Sequence, residues 1–158
     1  MASDPLIPTT DWKLERVLFG PEEIRATNLQ RFEMEQLDAI TVFDKETHGI
    51  VGYRDVREDA FWVRGHIPGR PLMPGVMMLE AMAQLTSFYC GRYYEDDDRF
   101  IGFGGLDNVK FRRAVLPGER LVMVARGVKI RPRRAIFDAQ GFVNGSLCVE
   151  AQITGLRL

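Results

Sequence analysis

The chain has 158 residues, 46% of them apolar and 27% charged, with a formal net charge of -1. That is the composition of one ordinary globular domain able to bury a core without staples, and it carries no global field for nucleic acid or membrane. Two cysteines, Cys90 and Cys148, make neither a disulfide framework nor a metal cluster, and both read as buried thiols in a reducing compartment.

The N-terminus, MASDPLIPTTDW, has no basic segment followed by an apolar one, and no apolar run approaches the ~20 residues of a membrane span. The reading is a soluble, cytoplasmic protein. Residues 1–20 read as a tail that docks through Trp12 and Leu14, and 21–158 as a single domain. Pro21 opens a short helix, PEEIRATNLQRF, with acids in its first turn. MEQLDAITVFD then reads as a strand ending near Asp44, and IVGYRDV as a second strand after a short turn. A loop rich in glycine and proline carries His66. Pro74 and Gly75 start a helix that the spacing carries to about Gly91. Its sequence, VMMLEAMAQLTSFYC, is apolar nearly all round, the mark of a helix wrapped by protein. Four strands follow: 100–115, 119–131, 135–143 and 146–156. Asn144-Gly145 is a strong two-residue hairpin signal, and Pro117-Gly118 and Arg131-Pro132 mark the other turns. A meander that must cover an all-apolar helix has to curl around it. The fold class is therefore α+β, an antiparallel sheet of five to six strands around one long buried helix.

The chemistry concentrates between residues 65 and 84. Glu80 and Gln84 are four apart on one face of the apolar helix. A carboxyl there either reaches solvent or pairs with an arginine, or it serves as a general acid that burial keeps protonated. His66 stands between Gly65 and the stiff run Ile67-Pro68-Gly69-Arg70-Pro71, which would hold the ring at one spot. The free N–H groups of Gly75 and Val76 at the helix start suit a developing oxyanion. A fixed base, an acid and an oxyanion site together can remove a proton next to a carbonyl and expel a hydroxyl. The sum is β-elimination of water from a 3-hydroxyacyl compound.

The stretch GHIPGRPLMPGVMMLEAMAQ, with FGGLDNVKFRRAVLPGE at 103–119, resembles the β-hydroxyacyl-(acyl carrier protein) dehydratases of the FabZ type over roughly residues 22–156. The resemblance implies a hot-dog fold and a homodimer, which can assemble as a trimer of dimers, with the active site at the dimer interface. His66 would be the base at the α carbon and the partner's Glu80 the acid at the hydroxyl. Gly75 would offer its N–H to the thioester carbonyl, and Gln84 would position Glu80 or a water. Val76, Pro68 and Phe103 complete the implied substrate contacts. No cofactor is implied, since the substrate rides on the phosphopantetheine of acyl carrier protein. The related decanoyl-type dehydratase-isomerases carry Asp where this chain has Glu80, which favours the FabZ-type branch. The chain departs from the pattern at Ile67, where the family has Phe, at Glu33-Met34-Glu35-Gln36, at Ile101-Gly102, and in its longer tail.

From Lys110 to Arg134 the chain has nine basic residues and one acid, Glu119. No aromatic stacking platform interleaves them, so the band suits an acidic protein better than nucleic acid. Arg112-Arg113 and the turn of Arg131, Arg133 and Arg134 are the docking candidates for acyl carrier protein. Glu95 to Asp98 reads as an exposed charged loop rather than a metal site. Two other readings stand beside the dehydratase. One is a hot-dog thioesterase. The other is a non-catalytic protein that binds acyl thioesters, motivated by Glu33, Glu35 and the long tail.

Overall fold

The computed structural model describes residues 3–158. One six-stranded sheet, antiparallel throughout, has the order β1-β2-β4-β5-β6-β3. The strands are β1 (Ala39–Asp44), β2 (Gly49–Asp55), β3 (Ile101–Phe111), β4 (Arg120–Ile130), β5 (Arg134–Val143) and β6 (Ser146–Arg157). The helix α2 (Gly75–Tyr93) lies against its inner face, and a short α1 (Pro21–Thr27) packs beside α2.

Alternation along the strands builds two cores. Ile50, Leu121, Met123, Ala125 and Phe137 point inward onto Met82, Leu85, Phe88 and Tyr89 of α2, all essentially buried. A Cβ at Gly52 would sit 2.6 Å from the Ala39 carbonyl and 2.9 Å from Leu85 Cδ1, so glycine lets the helix approach the sheet this closely. The intervening residues Val51, Tyr53, Val122, Val124 and Phe142 point outward, where the N-terminal segment covers them. Trp12 is 5% exposed, lies 5.1 Å from the Phe142 ring and donates its indole N–H to the Ile7 carbonyl. Gln140 clamps the same segment, accepting from Leu6 N–H and donating to the Asp4 carbonyl. Trp12 thus docks as expected, with Leu14 half-buried against the same cluster. Met1 and Ala2 lie outside the described residues.

Element boundaries differ from the sequence reading most clearly in four places, one being β3, which ends at Phe111 rather than at Val115. The first helix stops at Thr27 rather than Phe32, because Asn28 turns extended and its side chain leaves the helix to bond the Gln84 carbonyl of α2. The first strand does not begin at Met34: that residue ends a 3-10 turn (Phe32–Met34), residues 35–38 are irregular, and β1 begins at Ala39. Helix α2 continues two residues past Gly91, whose missing Cβ lets Thr27 of α1 pack against it. At the hairpin, Asn144 (φ 49°) and Gly145 (φ 77°) both take the left-handed backbone that a two-residue turn requires.

Candidate active site

The loop before α2 is tied at both ends by buried residues. Trp62 is 4% exposed and Met73 1%. The Gly65 and His66 N–H groups both donate to the Trp62 carbonyl, and Met73 N–H donates to the Val115 carbonyl. Between these anchors the half-buried His66 places Nδ1 2.7 Å from the Leu72 carbonyl. A carbonyl only accepts, so Nδ1 carries a proton, and in the neutral ring the lone pair is therefore on Nε2. The sequence offered no sign that Leu72 would set this tautomer. The next residue, Ile67, has φ 43°, an unusual backbone for a β-branched side chain, and it is 48% exposed.

Pro74 caps the helix that follows, its carbonyl accepting from Met77 and Met78 N–H. The Gly75 and Val76 N–H groups have no hydrogen-bond partner among the described residues. Both residues line a shallow groove of about 510 Å³ together with Leu72, Met73, Met78, Phe111, Arg112 and Arg113. A Cβ on Gly75 would meet the Phe111 ring at 2.7–2.8 Å, so glycine lets that ring pack against the start of the helix.

A turn and a half further along, Glu80 is half-buried rather than enclosed. Gln84 is 3% exposed and holds three partners at once. Its Nε2 donates to Glu80 Oε1 at 2.9 Å and to the Met34 carbonyl at 2.6 Å, while its Oε1 accepts from Gln36 N–H at 2.9 Å. Gln84 therefore orients one carboxylate oxygen of Glu80 and pins the Met34–Gln36 segment. This accounts for the departure at residues 33–36: the segment supplies backbone partners to the glutamine instead of strand side chains.

Glu80 opens into an apolar cavity of about 150 Å³ between α2 and the ends of β3, β5 and β6. Its helical wall is Glu80, Ala83, Gln84, Thr86, Ser87 and Cys90. Phe103, Phe137 and Ile153 line the other side. Burial pushes the Cys90 thiol up to about 12, so it forms an inert wall rather than a nucleophile.

One protomer does not unite the predicted set. His66 lines no part of the Glu80 cavity, and Glu80 lines no part of the Gly75 groove. Among the described residues, no hydrogen bond joins His66 to Glu80. Pro68 is exposed on the loop, Val76 is 70% exposed, and Phe103 is half-exposed at the cavity wall. The arginines also divide. Arg112 pairs with Glu150 at 3.0 Å and Arg113 with Glu119 at 2.9 Å. Arg131, Arg133 and Arg134 are exposed at the far end of α2, where the Arg133 carbonyl accepts from Arg157 N–H and Arg157 reaches the Cys90 carbonyl. Among the described residues, no group of three or more His, Cys, Asp and Glu can hold a metal ion, and no helix is long and apolar enough to cross a membrane.

The sheet wrapped on one helix is the hot-dog fold. The dehydratase heterocomplex ApeI:P from Xenorhabdus doucetiae superposes with a TM-score of 0.74 at 14% identity, over 85% of this chain and 90% of that one. A putative thioesterase from Ralstonia eutropha superposes at 0.62 with 19% identity, over 75% and 83%. The FabA-like domain family matches residues 28–152. The 3-hydroxyacyl-(acyl-carrier-protein) dehydratase FabZ of Streptococcus pneumoniae (strain CGSP14) is 32% identical over 133 residues, 84% of this chain and 94% of that protein. FabZ of Streptococcus pyogenes serotype M3 (strain SSI-1) is 33% identical over 132 residues, again 84% and 94%. The chain belongs to the FabA-like family. Within it, the chain is a FabZ-type hot-dog dehydratase, a hydro-lyase by class.

Proposed function

We propose that the protein dehydrates 3-hydroxyacyl thioesters carried on acyl carrier protein to the trans-2-enoyl thioesters, for fatty acid or related lipid synthesis, at sites built from two copies of the chain. One observation carries the reading. The Glu80–Gln84 pair opens into an apolar cavity that lacks His66, while His66, with Nε2 free, stands by a helix start that lacks Glu80.

Pairing two copies would complete both sites. Strand β3 is an eleven-residue sheet edge with Phe103, Leu106 and Phe111 exposed, the kind of edge a folded protein covers. Joined edge to edge about a two-fold axis, the two β3 strands run antiparallel. The Phe103 end of one, beside its Glu80 cavity, then lies toward the Phe111 end of the other, beside its Gly75 groove. Assembly of three such dimers is compatible with this edge pairing.

In the composite site the thioester carbonyl accepts from the Gly75 and Val76 N–H groups. His66 Nε2 takes the C2 proton, and the electron pair moves into the thioester as an enolate that the helix amides stabilise. Glu80 of the other protomer gives its proton to the C3 hydroxyl. The C3–O bond breaks, water leaves, and the C2–C3 double bond forms. The acyl tail occupies the cavity along Ser87 and Cys90. These steps call on no cofactor.

The test is turnover of a carrier-bound 3-hydroxyacyl thioester by the wild type, His66→Ala and Glu80→Gln. Each substitution should lower kcat by at least about 100-fold, the scale of general acid–base catalysis. Both variants should keep the wild-type circular dichroism spectrum. Wild-type turnover in either variant overturns its assigned role. Release of free thiol in place of enoyl product would make the protein a thioesterase.

A further inference from the structure

The basic band that the sequence singles out is neutralised by its own fold at three of its nine cations. Besides the Arg112–Glu150 and Arg113–Glu119 pairs, Arg120 pairs with Asp55 at 2.6 Å. The Arg131–Arg134 turn lies at the C-terminal end of α2, away from the Gly75 groove and near the acidic loop of Asp97. Unpaired cations beside the histidine itself form a separate set.

They stand on the histidine loop. Arg64 and Arg70 are both exposed, and neither makes a side-chain hydrogen bond or an ion pair among the described residues. From Ala60 to Leu79 the chain has no acid at all. Chain geometry keeps Arg64 within about 7 Å of His66, Cα to Cα, and Arg70 within about 14 Å, at the ~3.5 Å an extended residue spans. The positive end of α2 begins at Gly75, so its dipole adds to the same field. Between the two arginines, Ile67 projects from a strained left-handed backbone, and Pro68 and Gly69 are exposed beside it. The Arg70 N–H donates to the Ile67 carbonyl at 2.9 Å, closing the turn that presents all of them.

We propose that Arg64 and Arg70, with the exposed Ile67 between them, form the docking surface for the acidic carrier protein that delivers the thioester. The proposal rests on the carrier-dependent reading above. An acidic partner with an apolar spot matches this patch, two cations around one aliphatic side chain. An anionic phosphodiester on the carrier's arm would pass beside the arginines before its thioester reaches His66. The Arg112 and Arg113 guanidiniums serve instead to tie β3 and the loop after it to β6 and to Glu119.

The experiment compares two substrates on the intact protein: a 3-hydroxyacyl thioester on acyl carrier protein and the same acyl group on N-acetylcysteamine, which is uncharged. The readout is the ratio of the two kcat/KM values. In Arg64→Glu/Arg70→Glu this ratio should fall at least tenfold, through KM for the carrier-bound substrate. Arg64→Lys/Arg70→Lys should restore most of it. Rising salt should lower the wild-type ratio, by screening attraction, and raise that of the charge-reversed variant, by screening repulsion. An unchanged ratio in the charge-reversed variant overturns the proposal. So does a larger fall in Arg131→Glu/Arg133→Glu/Arg134→Glu, or an equal loss on both substrates, which would mean that the arginines only hold the loop. If the wild type turns over neither substrate, the dehydratase reading itself fails, a result distinct from all of these.

Discussion

Replacing Gln84 by Leu tests the polar tie at the centre of the site. The carboxamide holds Gln36 N–H, the Met34 carbonyl and Glu80 Oε1 together. Gln36 is 2% exposed, so its orphaned N–H would bear a full desolvation cost of about 1–3 kcal/mol. Met34 is 44% exposed and its carbonyl can turn to water, so its share is smaller. The total comes to about 2–4 kcal/mol, against ~5–15 kcal/mol for a whole domain, so the variant should fold. At about 2–4 °C per kcal/mol for a chain of this size, Tm should drop by roughly 4–16 °C at fixed protein concentration. Glu80 also loses the donor that orients it, and misplacing a reacting group by an ångström costs about 100-fold in rate. Scanning calorimetry and a turnover assay read the two effects separately. Glu80→Gln is the matched control, because its amide oxygen still accepts from Gln84. Its Tm should stay within about 2 °C of wild type while its activity is lost. A Gln84→Leu protein with unchanged Tm and turnover within twofold would refute the tie.

Two further predictions concern the frame that carries the site. Trp12→Ala removes the side chain that seals the outer core and leaves the Ile7 carbonyl without its indole partner. It should cost about 3–5 kcal/mol, and a urea midpoint that does not move would mean that the N-terminal segment is not part of the core. Glu119 and Glu150 are held below the usual carboxylate range, chiefly by hydrogen bonds from Arg113 and Arg112. A carboxylate whose pKa is lower folded than unfolded binds more protons when unfolded. Its contribution is therefore present above about pH 4.3 and lost as pH falls through the folded value. The urea midpoint should decline on acidification below about pH 5, less steeply in Arg112→Met/Arg113→Met; equal slopes would show that these pairs are not linked to folding.

The helix and the hairpin were legible because their signals are local. An all-apolar run after Pro74-Gly75 has one reading, and Asn144-Gly145 needs only its own backbone angles to turn. The segment at 34–38 misled because its pattern looks like strand, while its real partner is a side chain 48 positions away, Gln84 on α2. Asn28 ends the first helix for the same reason, by bonding the Gln84 carbonyl 56 positions along. Propensity has no access to such partners.

Residue types and spacings by themselves suggested the chemistry proposed for this protein. A histidine held in a stiff loop, a helix start with free amides, and a glutamate and a glutamine one turn apart suffice to suggest elimination of water. Tertiary structure alone decided which nitrogen of His66 is free, since that depends on the Leu72 carbonyl. It placed His66 outside the cavity that Glu80 lines in one protomer. It also decided which cations remain available, because a charge count cannot tell an arginine facing solvent from one facing Glu150 or Glu119. Ile67 gains a reading in the same way: only the fold shows that this loop, with Arg64 and Arg70 on either side, is held outward from two buried anchors.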